Sequence, residues 1–360
     1  MNNYRPKRGK NKDKMKVYID AYLAQNLGDD LFIDILTKRY PNDKFYAISK
    51  NKNRYNMKNL KVISNSYLYR ALKKFEFEKY LANMCDLVVS IGGSMFMEKN
   101  DANRNFSLGK NKRYILGTNF GPYKTKEYYN NLYGVFKQAE DVCFREKYSY
   151  ELFKNLPNVR YAPDIVFSMK TDNIKITNRK RAIISVISCK YKLDDKYSAI
   201  YRNTIIKLIE FLVKQNYDIC LMSFCKEEKD EEEIEEIITQ CKDNIKEKLE
   251  KYYYNGNINE ALNVLGDSCI IFGSRFHANI LGLLLHKTII PIIYSDKTLH
   301  VLEDMNIKSK YIDIRNLDKF SINSLTEKDL NNVINIQEQQ EKAKEHFKEL
   351  DIALGRIING

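Results

Sequence analysis

The sequence predicts a two-lobed α/β protein, and three observations carry that expectation. Short apolar or β-branched runs alternate with helical stretches along the whole chain, the order produced by parallel sheets covered with helices. At 360 residues the chain exceeds one ordinary core and suggests two domains of about 150 residues each. Between the two sets of alternating elements lies Lys170 to Arg181, polar and without period, where a linker is expected.

In the first set, strands are expected at 15–22, 44–49, 86–91, 112–117, 141–145 and 159–162. Helices are expected at 28–39, 66–84, 124–138 and 147–155. Arg181-Ala-Ile-Ile-Ser-Val-Ile-Ser188 then restarts a strand. It is followed by strands near 217–223, 269–272, 288–293 and 310–313, with helices near 197–215, 227–240, 257–266, 276–286 and 297–305. This divides the chain into a basic tail (1–14), an N-terminal lobe (15–170), a linker (171–180), a C-terminal lobe (181–325) and a charged helical segment (326–360). The acidic run Glu227–Glu236 reads as a solvated helix face, with Ile234, Ile237 and Ile238 as its buried stripe.

Charge and cysteine usage narrow the function classes. Of the formal +13, residues 1–14 supply +5, six basic side chains against Asp13 alone, and that stretch is expected to stay disordered. The rest is spread thinly, whereas a nucleic-acid binder concentrates its charge on one face or arm. The tail leaves open a contact with anionic lipid, and the overall excess suits an enzyme with anionic substrates. The seven cysteines (85, 143, 189, 220, 225, 241 and 269) lack a CxxC and mostly lie in apolar runs. They read as buried hydrophobes in a reducing compartment, not as a disulfide framework or zinc site. A basic start without an apolar segment behind it, and no uninterrupted spanning run, lead us to expect a cytoplasmic protein.

In open parallel sheets, ligands collect where strands hand over to helices. Five such turns stand out. Gln25-Asn26-Leu27-Gly28-Asp29-Asp30 carries a turn glycine and acids that serve equally as helix caps or site groups. Gly92-Gly93 allows backbone amides to approach an anion, or is only a tight turn. The loop Gly117 to Pro122 offers Thr118 and Asn119 as hydrogen-bond donors, or is loop punctuation. Arg145 ends an apolar strand, where it needs either a structural acid or an anionic ligand held bidentately. The sharpest is Ser274-Arg275-Phe276-His277. The free amides of the following helix favour an anion beside Arg275, and the positive helix end holds His277 near neutrality for acid–base work. His286 is expected to cap carbonyls; His300 and His346 receive no role.

Taken in order, Asn26-Leu-Gly-Asp29, Val88-Val-Ser-Ile-Gly92-Gly93, Leu116-Gly-Thr-Asn-Phe-Gly-Pro122, Phe144-Arg145-Glu146, Ala162-Pro163-Asp164, Ser274-Arg-Phe-His277-Ala and Leu302-Glu303-Asp304 form a pattern. It resembles that of the polysaccharide pyruvyl transferases, over about residues 15–310. Thr118 stands where many members carry Gln. The resemblance implies two Rossmann-like lobes facing across a cleft, similar to GT-B glycosyltransferases. It implies transfer of pyruvate from phosphoenolpyruvate to a sugar of a cell-wall or capsular glycan, as a ketal, without cofactor or metal. His277 and Asp29 become the catalytic candidates. Arg145 and Arg275 become clamps on the donor from opposite lobes, with Asn26, Gly92, Gly93, Asn119 and Phe276 lining the substrate surface. A GT-B glycosyltransferase using a nucleotide sugar, with Glu303 on the ribose and Lys297 on the diphosphate, is the alternative. The expected partners are phosphoenolpyruvate and a glycan or lipid-linked saccharide, with no nucleic acid and a peripheral membrane contact left open.

Overall fold

Among the described residues thirteen strands, all paired in parallel, build two separate sheets. The computed structural model describes residues 14–49, 55–63, 77–98, 111–193, 195–307, 309–317 and 321–356. The basic tail, apart from Lys14, and most of the expected helix 66–84 lie outside these residues; Phe77–Asn83 of that helix is present.

The N-terminal sheet contains β1 (Lys16–Asp20), β2 (Lys44–Ile48), β3 (Leu60–Ile63), β4 (Leu87–Ile91), β5 (Lys112–Thr118), β6 (Asp141–Phe144) and β7 (Val159–Tyr161), in the order β3-β2-β1-β4-β5-β6-β7. The C-terminal sheet contains β8 (Arg181–Ser185), β9 (Asp218–Ser223), β10 (Leu249–Tyr253), β11 (Ile270–Gly273), β12 (Thr288–Ile293) and β13 (Ile312–Asp313), in the order β10-β9-β8-β11-β12-β13. Each sheet therefore reverses its strand order beside its own first strand, the doubly wound Rossmann arrangement. The reversal falls between β1 and β4 in one lobe and between β8 and β11 in the other. Strands at these positions are buried on both faces, as β4, β8 and β11 are throughout, which explains their largely apolar sequence.

The lobes meet at the carboxyl ends of their sheets. The Leu27 N–H donates to Phe224 O at 2.9 Å, and Asn26 forms an antiparallel bridge with Cys225. Asp30 is fully buried and accepts from Tyr55 Oη at 2.9 Å and, across the junction, from Tyr254 Oη at 2.7 Å. One apolar core runs through both lobes, joining Leu31, Phe32 and Leu36 to Leu265, Leu281 and Leu284.

After residue 325 the expected amphipathic helix is replaced by short pieces, Glu327–Leu330, Gln337–Ala343 and Lys348–Ala353, the last two joined by a 3₁₀ turn Lys344–Phe347. The tight turn swings His346 and Phe347 into the N-terminal lobe. Asp351 follows, accepting from Arg39 Nε at 3.0 Å and Tyr40 Oη at 2.9 Å. The acidic run is also less solvated than its composition implies. Asp230 and Glu233 are buried at the start of helix Asp230–Gln240, where Arg202 Nε reaches Glu233 at 2.6 Å. All seven cysteines are free thiols. Among the described residues no helix is long and apolar enough to cross a membrane, and no cluster of three metal-ligating side chains occurs.

Candidate active site

The N-terminal wall of the site begins at Asn26. Its side chain, not Asp29 or Asp30, caps helix Leu27–Arg39, accepting from the Gly28 N–H at 3.0 Å. Gly28 is required for a reason unrelated to turning. A Cβ there would lie 1.9 Å from His277 Nδ1, so the first turn of this helix packs directly against the imidazole from the other lobe. Asp29 points toward the neighbouring strand end, its Oδ1 3.7 Å from where a Cβ on Gly92 would be. Together with Cys225 and Glu228, and after burial itself, it raises the pKa of Tyr22.

Gly92 and Gly93 follow β4 and no helix starts in residues 92–98, so the two glycines stand in a turn rather than at a helix start. Their roles differ. Gly92 adopts φ +150°, and Gly93 makes room for Arg145, whose Nη atoms would lie 2.5 Å from a Cβ. The Gly93 carbonyl accepts from the Asn119 N–H at 2.8 Å and Thr118 Oγ1 at 3.2 Å. Thr118 and Asn119 are therefore spent holding the wall and are buried.

Arg145, 2% exposed, is the centre of that wall. Its Nη1 donates to Asp164 Oδ2 at 2.8 Å and its Nη2 to Asn119 Oδ1 at 2.9 Å. The structural acid foreseen for it is Asp164; Glu146 instead accepts from Ser149 Oγ at 2.6 Å. Phe276 covers the guanidinium at 4.3 Å, giving a cation–π contact supplied by the C-terminal lobe. Arg145 Nε is buried without a hydrogen-bond partner among the described residues, a donor worth about 1–3 kcal/mol if an acceptor arrives.

The C-terminal wall is the turn after β11. Ser274 Oγ and Tyr201 Oη are 2.9 Å apart, the Arg275 N–H donates to Ser185 Oγ at 3.0 Å, and Asn279 Nδ2 donates to Gly273 O at 2.9 Å. Arg275 does not reach across the cleft. Its Nε donates to Asp230 Oδ2 at 3.0 Å, Nη2 to the other Asp230 oxygen, and Nη1 to Glu228. Asp230 also accepts from the N–H groups of Cys225 at 2.9 Å, Phe224 at 3.1 Å and Ser188 at 3.3 Å. The anion that a positive turn attracts is thus supplied by the protein itself. Burial opposes the Arg275 charge, but Asp230 and Glu228 outweigh it and hold the guanidinium proton more tightly than usual. Burial likewise opposes ionisation of Glu228, yet Arg275 and Lys192 bring its carboxyl down to about 2. In this arrangement Arg275 positions the turn.

His277, in the first turn of helix Phe276–Leu284, is what the turn delivers. Its ring lies edge-on to Phe32 at 5.3 Å, and its Nε2 is 3.8 Å from Asp164 Oδ2. Asp164 is wholly buried and caps the 3₁₀ turn Ile165–Ser168 through Val166 N–H at 2.9 Å. Burial pushes its carboxyl upward, but Arg145, His277 and the Val166 N–H prevail and hold it below the usual range. An ionised carboxylate between a guanidinium and an imidazole favours the protonated imidazole, so His277 is equipped to give and recover a proton.

Comparison with known proteins decides the family. The model of the polysaccharide pyruvyl transferases matches residues 26–296, from the Asn26 turn to the helix after β12. The chain belongs to the polysaccharide pyruvyl transferase family. No curated protein matches it. The fold of this pyruvyl transferase is shared with Anabaena HepE, solved with UDP and glucose, at 11% identity and TM-score 0.56 over 95% of this chain and 100% of that one. It is shared too with the Methanocaldococcus jannaschii UDP-GlcNAc 2-epimerase, at 11% identity and TM-score 0.57 over 94% and 99%. A Rickettsia africae glycosyltransferase aligns at 14% identity and TM-score 0.50 over 97% and 100%. The two-lobed GT-B build is thereby established, and the family places the protein among transferases of polysaccharide biosynthesis.

Of the residues singled out in sequence, Arg145, Asn119, Gly93, Phe276 and His277 converge on one spot; Gly92 and Asp29 flank it, and Asn26 holds the helix beneath it. Asp164, at the end of Ala162-Pro163-Asp164, connects the arginine to the histidine, a role its sequence neighbourhood does not signal. His346, to which no role was given, is buried behind it, donating from Nε2 to Pro163 O at 2.8 Å. Burial and then Arg160 lower its pKa to about 3, so it acts as a neutral wedge. The close fit around His277 makes one prediction direct. Gly28→Ala forces its methyl into the imidazole, and steady-state assays of the purified variant should show activity down by about 10²-fold. Overpacking of about 1–3 kcal/mol should also lower its melting temperature.

Proposed function

We propose that the protein moves the pyruvyl group of phosphoenolpyruvate onto two hydroxyls of one sugar in a surface glycan or its precursor, forming a cyclic ketal. The observation that carries this reading is the pairing of His277 with Asp164 beside Arg145, whose Nε is a buried donor awaiting an acceptor. Phosphoenolpyruvate is small and carries a carboxylate and a phosphate, so a desolvated guanidinium is a fitting partner for one of them. His277 delivers a proton to the methylene carbon, leaving an electron-poor C2 that a sugar hydroxyl attacks. The proton of that hydroxyl returns to the imidazole. The C2–O bond to phosphate then breaks, the second hydroxyl adds to C2, and its proton leaves with the phosphate. Asp164 stabilises the imidazolium at the start and end of this cycle. The acceptor is a glycan or lipid-linked saccharide reached at the cytoplasmic side of a membrane.

Thermal shift tests the donor. Phosphoenolpyruvate at 100 times its dissociation constant should stabilise the protein by about 2.7 kcal/mol. Phosphate should be released only when an acceptor glycan is present. Because HepE was solved with UDP and glucose, nucleotide sugars form the second arm. Stabilisation by a UDP- or GDP-sugar and not by phosphoenolpyruvate overturns the proposal in favour of glycosyl transfer.

A further inference from the structure

The aromatic residues beside the site suggest how the acceptor is held. Tyr148 lies three residues beyond Arg145, so their Cα atoms are at most about 11 Å apart. It belongs to helix Lys147–Phe153 of the N-terminal lobe and is 46% exposed, unusual for a large ring so close to a buried centre. Its ring stacks on His300 of the C-terminal lobe, with centroids 5.2 Å apart and planes inclined by 23°. One face of the phenol is therefore covered by the imidazole, and its exposure belongs to the rest of the ring. One helical turn after His300, Asp304 accepts from the Lys147 N–H at 2.6 Å, tying the same two helices together. Ser149 Oγ accepts from the Phe120 N–H at 2.7 Å, which fastens this helix to the loop carrying Asn119. Tyr123 packs on Phe120 at 4.8 Å and, with burial, contributes to raising the Tyr148 hydroxyl, so the two phenols are near each other.

We infer that Tyr148, His300 and Asp304 form a subsite that seats a pyranose ring of the acceptor glycan. A pyranose offers an apolar C–H face and a rim of hydroxyls. The exposed part of the phenol ring suits the former, while the Asp304 carboxylate suits the latter. Asp304 has used one oxygen on Lys147, and a carboxylate has lone pairs for further donors. Because Tyr148 and His300 come from different lobes, the platform exists only while the lobes are together, the same condition that brings His277 to Asp164. The subsite rests on the proposed transfer to a sugar, and it supplies the acceptor half of that reaction.

The chain contains no Trp, so Tyr148→Trp creates a single tryptophan, selectively excited at about 295 nm, that preserves an aromatic platform. Its emission should change saturably on titration with methyl β-glucoside, methyl β-galactoside or cellotetraose. Adding His300→Ala to this variant should weaken that response at least fivefold. By isothermal titration with the same sugars, Tyr148→Phe should bind like the unmodified protein and Tyr148→Ala at least tenfold more weakly. The thermal shift induced by phosphoenolpyruvate should be equal in all of them. Emission unchanged by every sugar, or sugar binding unaffected by Tyr148→Ala, overturns the subsite. A protein that binds sugar through Tyr148 but is not stabilised by phosphoenolpyruvate would refute the donor assignment while leaving the subsite standing.

Discussion

Replacing His277 by Ala is expected to lower the rate of pyruvyl transfer by about 10²–10⁴-fold while the protein stays folded. The ring packs edge-on to Phe32 and Phe276 and against the bare backbone of Gly28, and far-UV circular dichroism of the variant checks that the fold persists. Rate constants for phosphate release, measured with acceptor present, should fall in kcat, because in the proposed cycle the imidazole acts on the reacting carbon and not on the bound anion. Binding of phosphoenolpyruvate, followed by thermal shift, should survive. A variant retaining full kcat would sink the assignment of the proton donor.

Asp164→Ala is expected to have the largest effect on stability. It leaves Arg145 buried at 2% exposure without its carboxylate, and breaking such a pair costs about 3–5 kcal/mol. It also uncaps Ile165–Ser168. Chemical denaturation should show this loss as a lower midpoint. Asp164→Asn separates structure from chemistry. The amide oxygen can still receive Arg145 Nη1, so stability should recover in part, while the charge that favours a protonated His277 is gone. Its pH–rate profile should show the imidazole limb displaced to lower pH than in the unmodified protein. An unchanged profile would rule out Asp164 as the group tuning His277.

The architecture was legible wherever a strand is buried on both faces. β4, β8 and β12 are buried from end to end and largely apolar, and their positions agree with the expected ones to within a few residues. β3 and β10 were missed because each is an edge strand of its sheet. Leu60-Lys-Val-Ile63 and Leu249-Glu-Lys-Tyr-Tyr253 show little buried surface and thus no apolar run to recognise. In the site, the turn Ser274–His277 could be read because Arg and His beside a strand end are conspicuous. What each one touches could not. Arg275 finds its acids on the turn after β9, 45 residues away from Asp230 in sequence, and nothing local signals that pairing. Asp164 escaped notice for a related reason: it precedes a short 3₁₀ turn, where an aspartate is an ordinary cap. The loop glycines carry a second role that no local pattern signals. Gly93 does lie in the expected turn after β4, and both it and Gly28 also make room for a side chain arriving from elsewhere.

The return of residues 336–354 to the first lobe bears on how the protein is made. Ile336, Ala343, Phe347, Leu350 and Leu354 complete a core whose other members include Val17, Phe32 and Leu36. A ribosome delivers those two groups at opposite ends of translation. The first lobe, although synthesised first, waits with part of its apolar surface uncovered until the second lobe has emerged and the chain has doubled back. His346 arrives at Pro163, and Asp351 at Arg39, only in that final step. Domain-by-domain folding in the order of synthesis is therefore interrupted in this architecture, and Asp164, beside Pro163, is among the last residues to gain its permanent neighbours.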